Sequence, residues 1–147
     1  MGMDRYMLAQ KALQMRKFSY SPYSGFCVGA ALLTAGGKVY TGCNIENAAY
    51  APTNCAERTA FFKAVSEGER DFQAIAIAGG HKDAEEPLEL CAPCGVCRQV
   101  MMEFCNPETF EVILVRSEKD YRVFTLKELL PMGFGPGNLE KDGSGSE

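Results

Sequence analysis

Two short stretches of this 147-residue chain carry the residue types of a metal site. One is Cys55-Ala56-Glu57 and the other is Pro93-Cys94-Gly95-Val96-Cys97. Three thiolates can hold a zinc ion and leave its fourth tetrahedral position to water, the arrangement of a catalytic rather than a structural site. Glu57, two residues from one ligand, is placed to move protons for that water. Cys94 and Cys97 stand at i and i+3, so at a helix start both side chains share one face. A helix N-terminus also lowers the pKa of a thiol and favours the thiolate. If the helix opened by Cys55 starts at the same point in space, two helix dipoles turn their positive ends toward three sulfurs.

Three thiolates over-neutralise a divalent zinc ion and weaken it as a Lewis acid, so positive charge must offset them. Arg58 and Arg98, each close to a ligand, are the candidates; partners at that distance tune metal affinity and the acidity of bound water. Cys91 complicates the ligand set. With Cys94 and Cys97 it makes a C-x2-C-x2-C run, and a four-cysteine structural zinc site that includes it stays open; an iron–sulfur run would need a further cysteine followed by proline, which is absent. Glu57 has a plainer reading as the last residue of a capping box opened by Asn54. Cys27, Cys43 and Cys105 read as core residues, since free cysteine is among the most buried types. His81, the single histidine, sits in an acidic stretch, which leaves a Ser/His/Asp triad without a base.

The elements that must position these residues follow from pattern. Asp4 to Lys17 reads as a helix with Asp4 as N-cap. Residues 27–34 and 38–44 read as strands joined at Gly36-Gly37. Asn54 to Glu67 reads as a helix, Phe72 to Ala78 as a buried strand, and Gly79 to Ala92 as an acidic loop. Cys94 to Phe104 reads as a helix, residues 110–115 and 121–125 as strands, and Leu126 to Leu130 as a short helix. The expected fold is one α/β domain over residues 1–139, with helices on both faces of a sheet, followed by a flexible tail at 140–147.

Composition bounds the function. Apolar content is 46% and charged content 23%, ordinary for a globular domain, and the net charge of -4 argues against a nucleic-acid partner. There is no apolar run long enough to span a membrane, and the first residues lack the core of a secretory signal. An odd count of seven cysteines with CxxC spacing suits metal chemistry in a reducing compartment, so a cytoplasmic protein is expected.

The wider string is more specific than the CxxC. Asn44-Ile45-Glu46-Asn47, Cys55-Ala56-Glu57-Arg58-Thr59, Pro93-Cys94-Gly95-Val96-Cys97-Arg98-Gln99, Glu128-Leu129-Leu130-Pro131 and Phe134-Gly135-Pro136 together resemble the small, homotetrameric, zinc-dependent cytidine deaminases. The resemblance runs from the first helix to Leu139. It implies a three-layer α-β-α sandwich around a five-stranded mixed sheet, and hydrolytic deamination of cytidine and deoxycytidine with one zinc per chain. It makes Cys55, Cys94 and Cys97 the ligands, Glu57 the acid/base, and Arg58 and Arg98 the arginines that hydrogen-bond the sulfurs. Asn44 and Glu46 match contacts to ribose hydroxyls, Phe26 an aromatic against the pyrimidine, and Ala56 a backbone N–H near the base carbonyl. Ala48, Tyr50 and Phe134 match residues that a neighbouring subunit lends to the pocket. The Gly79–Ala92 stretch is longer and more acidic than the usual pattern. Two rivals remain at this point: a deaminase for another aminated pyrimidine or for bases in polynucleotides, and a zinc module without catalysis.

Overall fold

The structure is a computed structural model that describes residues 3–139. The expected tail at 140–147 lies outside the described residues. Helix α1 spans Arg5–Met15 and is capped by Asp4, whose carboxylate accepts from the Met7 amide at 3.0 Å. A 3-10 turn, Arg16–Phe18, extends it. Strands β1, Phe26–Thr34, and β2, Val39–Cys43, form the expected hairpin. Its turn needs the left-handed φ of +96° that Gly37 supplies. Then follow α2, Ala56–Ser66; β3, Phe72–His81; α3, Gly95–Phe104; β4, Glu111–Ser117; and β5, Asp120–Thr125. The short α4, Leu126–Leu129, is closed by a reciprocal capping box between Thr125 and Glu128.

The five strands make one mixed sheet in the order β2-β1-β3-β4-β5. Only β3 and β4 run parallel, and α3 lies in the crossover between them. Side chains alternate between faces, so each strand feeds two cores. Ala30, Leu32, Ile75, Ile77, Val112 and Leu114 pack with α2 and α3. Ala31, Leu33, Ala74, Ala76, Ile113 and Val115 pack with Leu8, Ala9 and Ala12 of α1. Helices therefore cover both faces, which gives the three layers.

Two glycines set how closely the helices approach. A Cβ at Gly29 would stand 2.0 Å from the Ala12 carbonyl oxygen of α1, and one at Gly42 2.5 Å from the Ala56 carbonyl oxygen of α2. The second contact seats the start of α2, and hence Cys55, directly on β2.

Two elements differ from expectation. Strand β3 continues through His81, because Gly79, Gly80 and His81 pair with Val28, Cys27 and Phe26 at the start of β1. The acidic loop therefore begins at Lys82. Helix α2 starts at Ala56 with Cys55 as N-cap. Asn54 is held extended by a two-way backbone pairing with Ile45, 2.9 Å in each direction, and its amide donates to Thr59 Oγ1 instead of capping. Glu57 is thus the second residue of the helix and not the end of a capping box opened by Asn54.

Candidate active site

The Cys55-Ala56-Glu57 stretch and the Cys94-Gly95-Val96-Cys97 stretch converge. Cys55 and Cys94 are the N-cap residues of α2 and α3, and neither side chain caps its own helix. Their sulfurs lie 3.8 Å apart, and the Cys94 and Cys97 sulfurs 3.5 Å apart. All three sit within 4.8 Å of one another, the one such cluster of potential ligands among the described residues. Sulfurs bound at about 2.3 Å to a tetrahedral zinc stand about 3.8 Å apart, so this spacing fits the ion.

Electrostatics fit it as well. The Cys97 thiol and then the Arg58 guanidinium donate to Cys55 and pull its pKa down to about 5 despite burial. The hydrogen bond between Cys97 and Cys55, together with burial, pushes the Cys97 thiol up. Arg58 Nη2 donates to the Cys55 sulfur at 3.2 Å. Its Nε is buried with no acceptor among the described residues, a spare donor suited to a cluster that carries excess negative charge. Arg98 differs from the expected contact with sulfur. Its Nε donates to the Pro93 carbonyl at 2.8 Å and its Nη1 to the Leu129 carbonyl, so it ties the ligand turn to α4. It holds the ligands by way of the backbone because Leu129 follows β5 and lies beside α3 in space.

Cys91 is not part of the cluster. Its sulfur packs over Gly79 of β3, and burial raises its pKa to about 11, which keeps it a neutral thiol. Cys43 is buried, as expected, and Cys27 and Cys105 are half-buried.

Glu57 is 4% exposed, and loss of hydration raises its carboxyl to about 7. It lines a cleft of about 230 Å³ together with Cys55, Cys94, Phe26, Asn44, Glu46 and Ala56. Phe26 is 41% exposed. The Asn44 amide bridges the start of β1, with Nδ2 donating to the Phe26 carbonyl at 2.8 Å and Oδ1 accepting from the Val28 amide at 2.9 Å. The Glu46 carboxylate accepts from the Tyr23 and Ser24 amides and from the Ser24 hydroxyl. That hydroxyl, followed by the backbone donors, holds its pKa below the usual value. Ala48, Tyr50 and Phe134 do not reach this cleft; all three are exposed on the chain's surface.

Residues 19–24 contribute more than the sequence reading assigned. Ser24 lines the cleft and fixes Glu46, and Ser19 donates to Asn44 Oδ1. A signal existed: three serines, Ser19, Ser21 and Ser24, precede a strand whose neighbour is followed by Asn44 and Glu46, groups that need donors to stay oriented.

Comparison with known proteins agrees with this fold. The family of the cytidine and deoxycytidylate deaminase zinc-binding region matches residues 3–113. A cytidine deaminase of Halalkalibacterium halodurans is 52% identical over 132 residues, covering 90% of this chain and 95% of that protein. One of Sporosarcina psychrophila is 49% identical over 137 residues, 93% of this chain and 96% of that protein. The crystal structure of cytidine deaminase from Burkholderia pseudomallei superposes with a TM-score of 0.79 at 48% identity, covering 90% of this chain and 100% of that one. Matched by the family model over residues 3–113 and by relatives at about half identity along nearly its whole length, this chain belongs to the cytidine and deoxycytidylate deaminase family.

Proposed function

We propose that the protein hydrolyses the C4–N bond of cytidine and deoxycytidine, giving uridine and deoxyuridine with release of ammonia, as a step of pyrimidine salvage. The carrying observation is a buried carboxyl that shares one cleft with the three-sulfur cluster. When bound by Cys55, Cys94 and Cys97, zinc supplies Lewis acidity toward water at its open position.

The chain's own residues do the rest. Glu57 takes a proton from the water that adds to C4 and passes it to N3 of the ring. It then carries the second proton to the amino nitrogen; the C4–N bond breaks, ammonia leaves, and C4 keeps the oxygen as a carbonyl. A group near pH 7 can serve in both directions, and positioned acid/base groups contribute about 10²–10⁴-fold. Phe26 flanks the pyrimidine. The Ala56 N–H, free of an intrahelical partner at the start of α2, faces the base carbonyl. Asn44 retains a second amide hydrogen and Glu46 retains lone pairs for ribose hydroxyls. A site with such groups rejects free cytosine, which would leave them unpaired. Arg58 offsets thiolate charge through its bond to Cys55, and Arg98 holds the ligand turn.

Ala48, Tyr50 and Phe134 complete the pocket of a neighbouring subunit in a homotetramer; the 74% exposure of Tyr50 and 55% of Phe134 supports this. Residues 1–139 form the catalytic domain. A cytoplasmic location is supported by unpaired cysteines throughout the described residues. No helix of the described residues is long and apolar enough to cross a membrane.

The test is loss of cytidine ultraviolet absorbance on adding protein that holds one zinc per chain. Cys55→Ser, Cys94→Ser and Cys97→Ser should each lose metal and turnover, whereas Cys91→Ser should keep both. Zinc-loaded protein inert toward cytidine and deoxycytidine, or metal loss in Cys91→Ser, overturns the reading.

A further inference from the structure

A second concavity lies on the opposite face of β1 from the catalytic cleft. Phe26 and Val28 line the cleft, whereas Cys27, between them, lines a hollow of about 410 Å³ beside the end of α1. Alternation along the strand places the two on different faces. Arg16, Lys17 and Lys82 border this hollow with Ser19 and Ser21, and no carboxylate lines it. Three cations in one concavity run against the chain's overall charge of -4.

The cations differ in how they are held. Arg16 is fixed in place: Nε donates to the Cys27 carbonyl and Nη2 to the Gly80 and His81 carbonyls, each at 3.0 Å. Its Nη1 amino group has no acceptor among the described residues, so two N–H donors remain for a ligand on a side chain already immobilised. Lys82 is exposed and anchored at its backbone, where its amide donates to the Gly25 carbonyl at 2.7 Å. Neither lysine forms an ion pair among the described residues. Glu86 and Glu118 border an adjoining hollow that Lys17 also lines, which draws part of that lysine's charge away and leaves Arg16 and Lys82 as the main pair. Among the described residues the Ser21 hydroxyl has one hydrogen-bond partner, the Cys27 sulfur at 3.3 Å, a weak partner that an anion oxygen would outcompete.

We propose that this hollow binds a phosphate group, as free phosphate or as the phosphoryl group of a small metabolite, at a site separate from the nucleoside cleft. A fixed guanidinium, flexible ammonium groups and a hydroxyl are the donors that phosphate oxygens require. The proposal stands on the geometry of the α1 face and does not depend on which base the cleft accepts.

Titration of the zinc-loaded protein with inorganic phosphate, and separately with cytidine monophosphate, tests it by calorimetry in the presence of saturating uridine. Saturable one-to-one binding is expected, weakened about tenfold or more by Lys82→Glu, the scale of one charge-assisted contact. Lys17→Glu should weaken it less. Cytidine turnover without phosphate serves as the folding control and should match the parent protein. Tighter binding of the nucleotide identifies a nucleotide phosphoryl group, and equal affinity identifies free phosphate. Displacement of the anion by uridine, or unchanged affinity in Lys82→Glu, overturns the proposal.

Discussion

Gly79 of β3 lies directly beneath Cys91: a Cβ at Gly79 would stand 2.6 Å from the Cys91 sulfur and 3.2 Å from the Phe26 ring. The glycine thus keeps a neutral thiol and the cleft's aromatic in register. Gly79→Ala should destabilise the protein by about 1–3 kcal/mol, the usual cost of overpacking, and should raise KM for cytidine by displacing Phe26. Adding Cys91→Ala removes the shortest contact and should recover part of the melting temperature, the Phe26 contact remaining. A double variant as unstable as the single would show that the sulfur contact is not responsible.

Glu57→Gln keeps the shape of the side chain and removes its proton chemistry. The variant should bind one zinc per chain and fold normally, with kcat lowered about 10²–10⁴-fold or more. Metal analysis beside steady-state kinetics separates the two effects. Undiminished turnover would remove Glu57 from proton transfer.

The two arginines near the ligands should behave differently. Arg58 donates to a ligand sulfur, so Arg58→Gln should lower zinc affinity or activity about 10–100-fold with a small change in melting temperature. Arg98 donates to two backbone carbonyls. Arg98→Gln should therefore lose stability first, by about 1–3 kcal/mol for carbonyls left without partners. Equal zinc affinity in Arg58→Gln and the parent protein would contradict the sulfur contact.

The Glu46 carboxylate is held below the ordinary range by the Ser24 hydroxyl and the amides of Ser24 and Tyr23. A depressed folded pKa means that the ionised carboxylate steadies the 23–24 turn. That contribution is complete above the unfolded value of about 4.3 and fades as pH falls through the lower folded value. The Ser24 amide resonance should titrate with a midpoint below the ordinary carboxylate value. Ser24→Ala should move the Glu46 midpoint upward. An ordinary midpoint in the parent protein would mean that the turn does not hold Glu46.

Local spacing determined a large part of this protein. The i, i+3 relation of Cys94 and Cys97, the glutamate two places after Cys55 and the Gly36-Gly37 turn each express geometry set within a few residues. The alternation of apolar side chains likewise made the two-sided sheet legible, because the strand period is a property of the backbone itself. Tertiary structure alone decided which groups meet. Cys91 stands at the same spacing from Cys94 as Cys97 does, yet it precedes the helix and is drawn over Gly79, so only three sulfurs converge. Cys55 reaches Cys94 because Gly42 lets α2 sit against β2 and because β2 and β3, each antiparallel to β1, finish at the same end of the sheet. Asn54 lost its place as N-cap to a backbone pairing with Ile45, and Arg98 found its acceptor on Leu129, 31 residues away. Such contacts depend on chain segments distant in sequence, and no pattern within a single helix or strand encodes them.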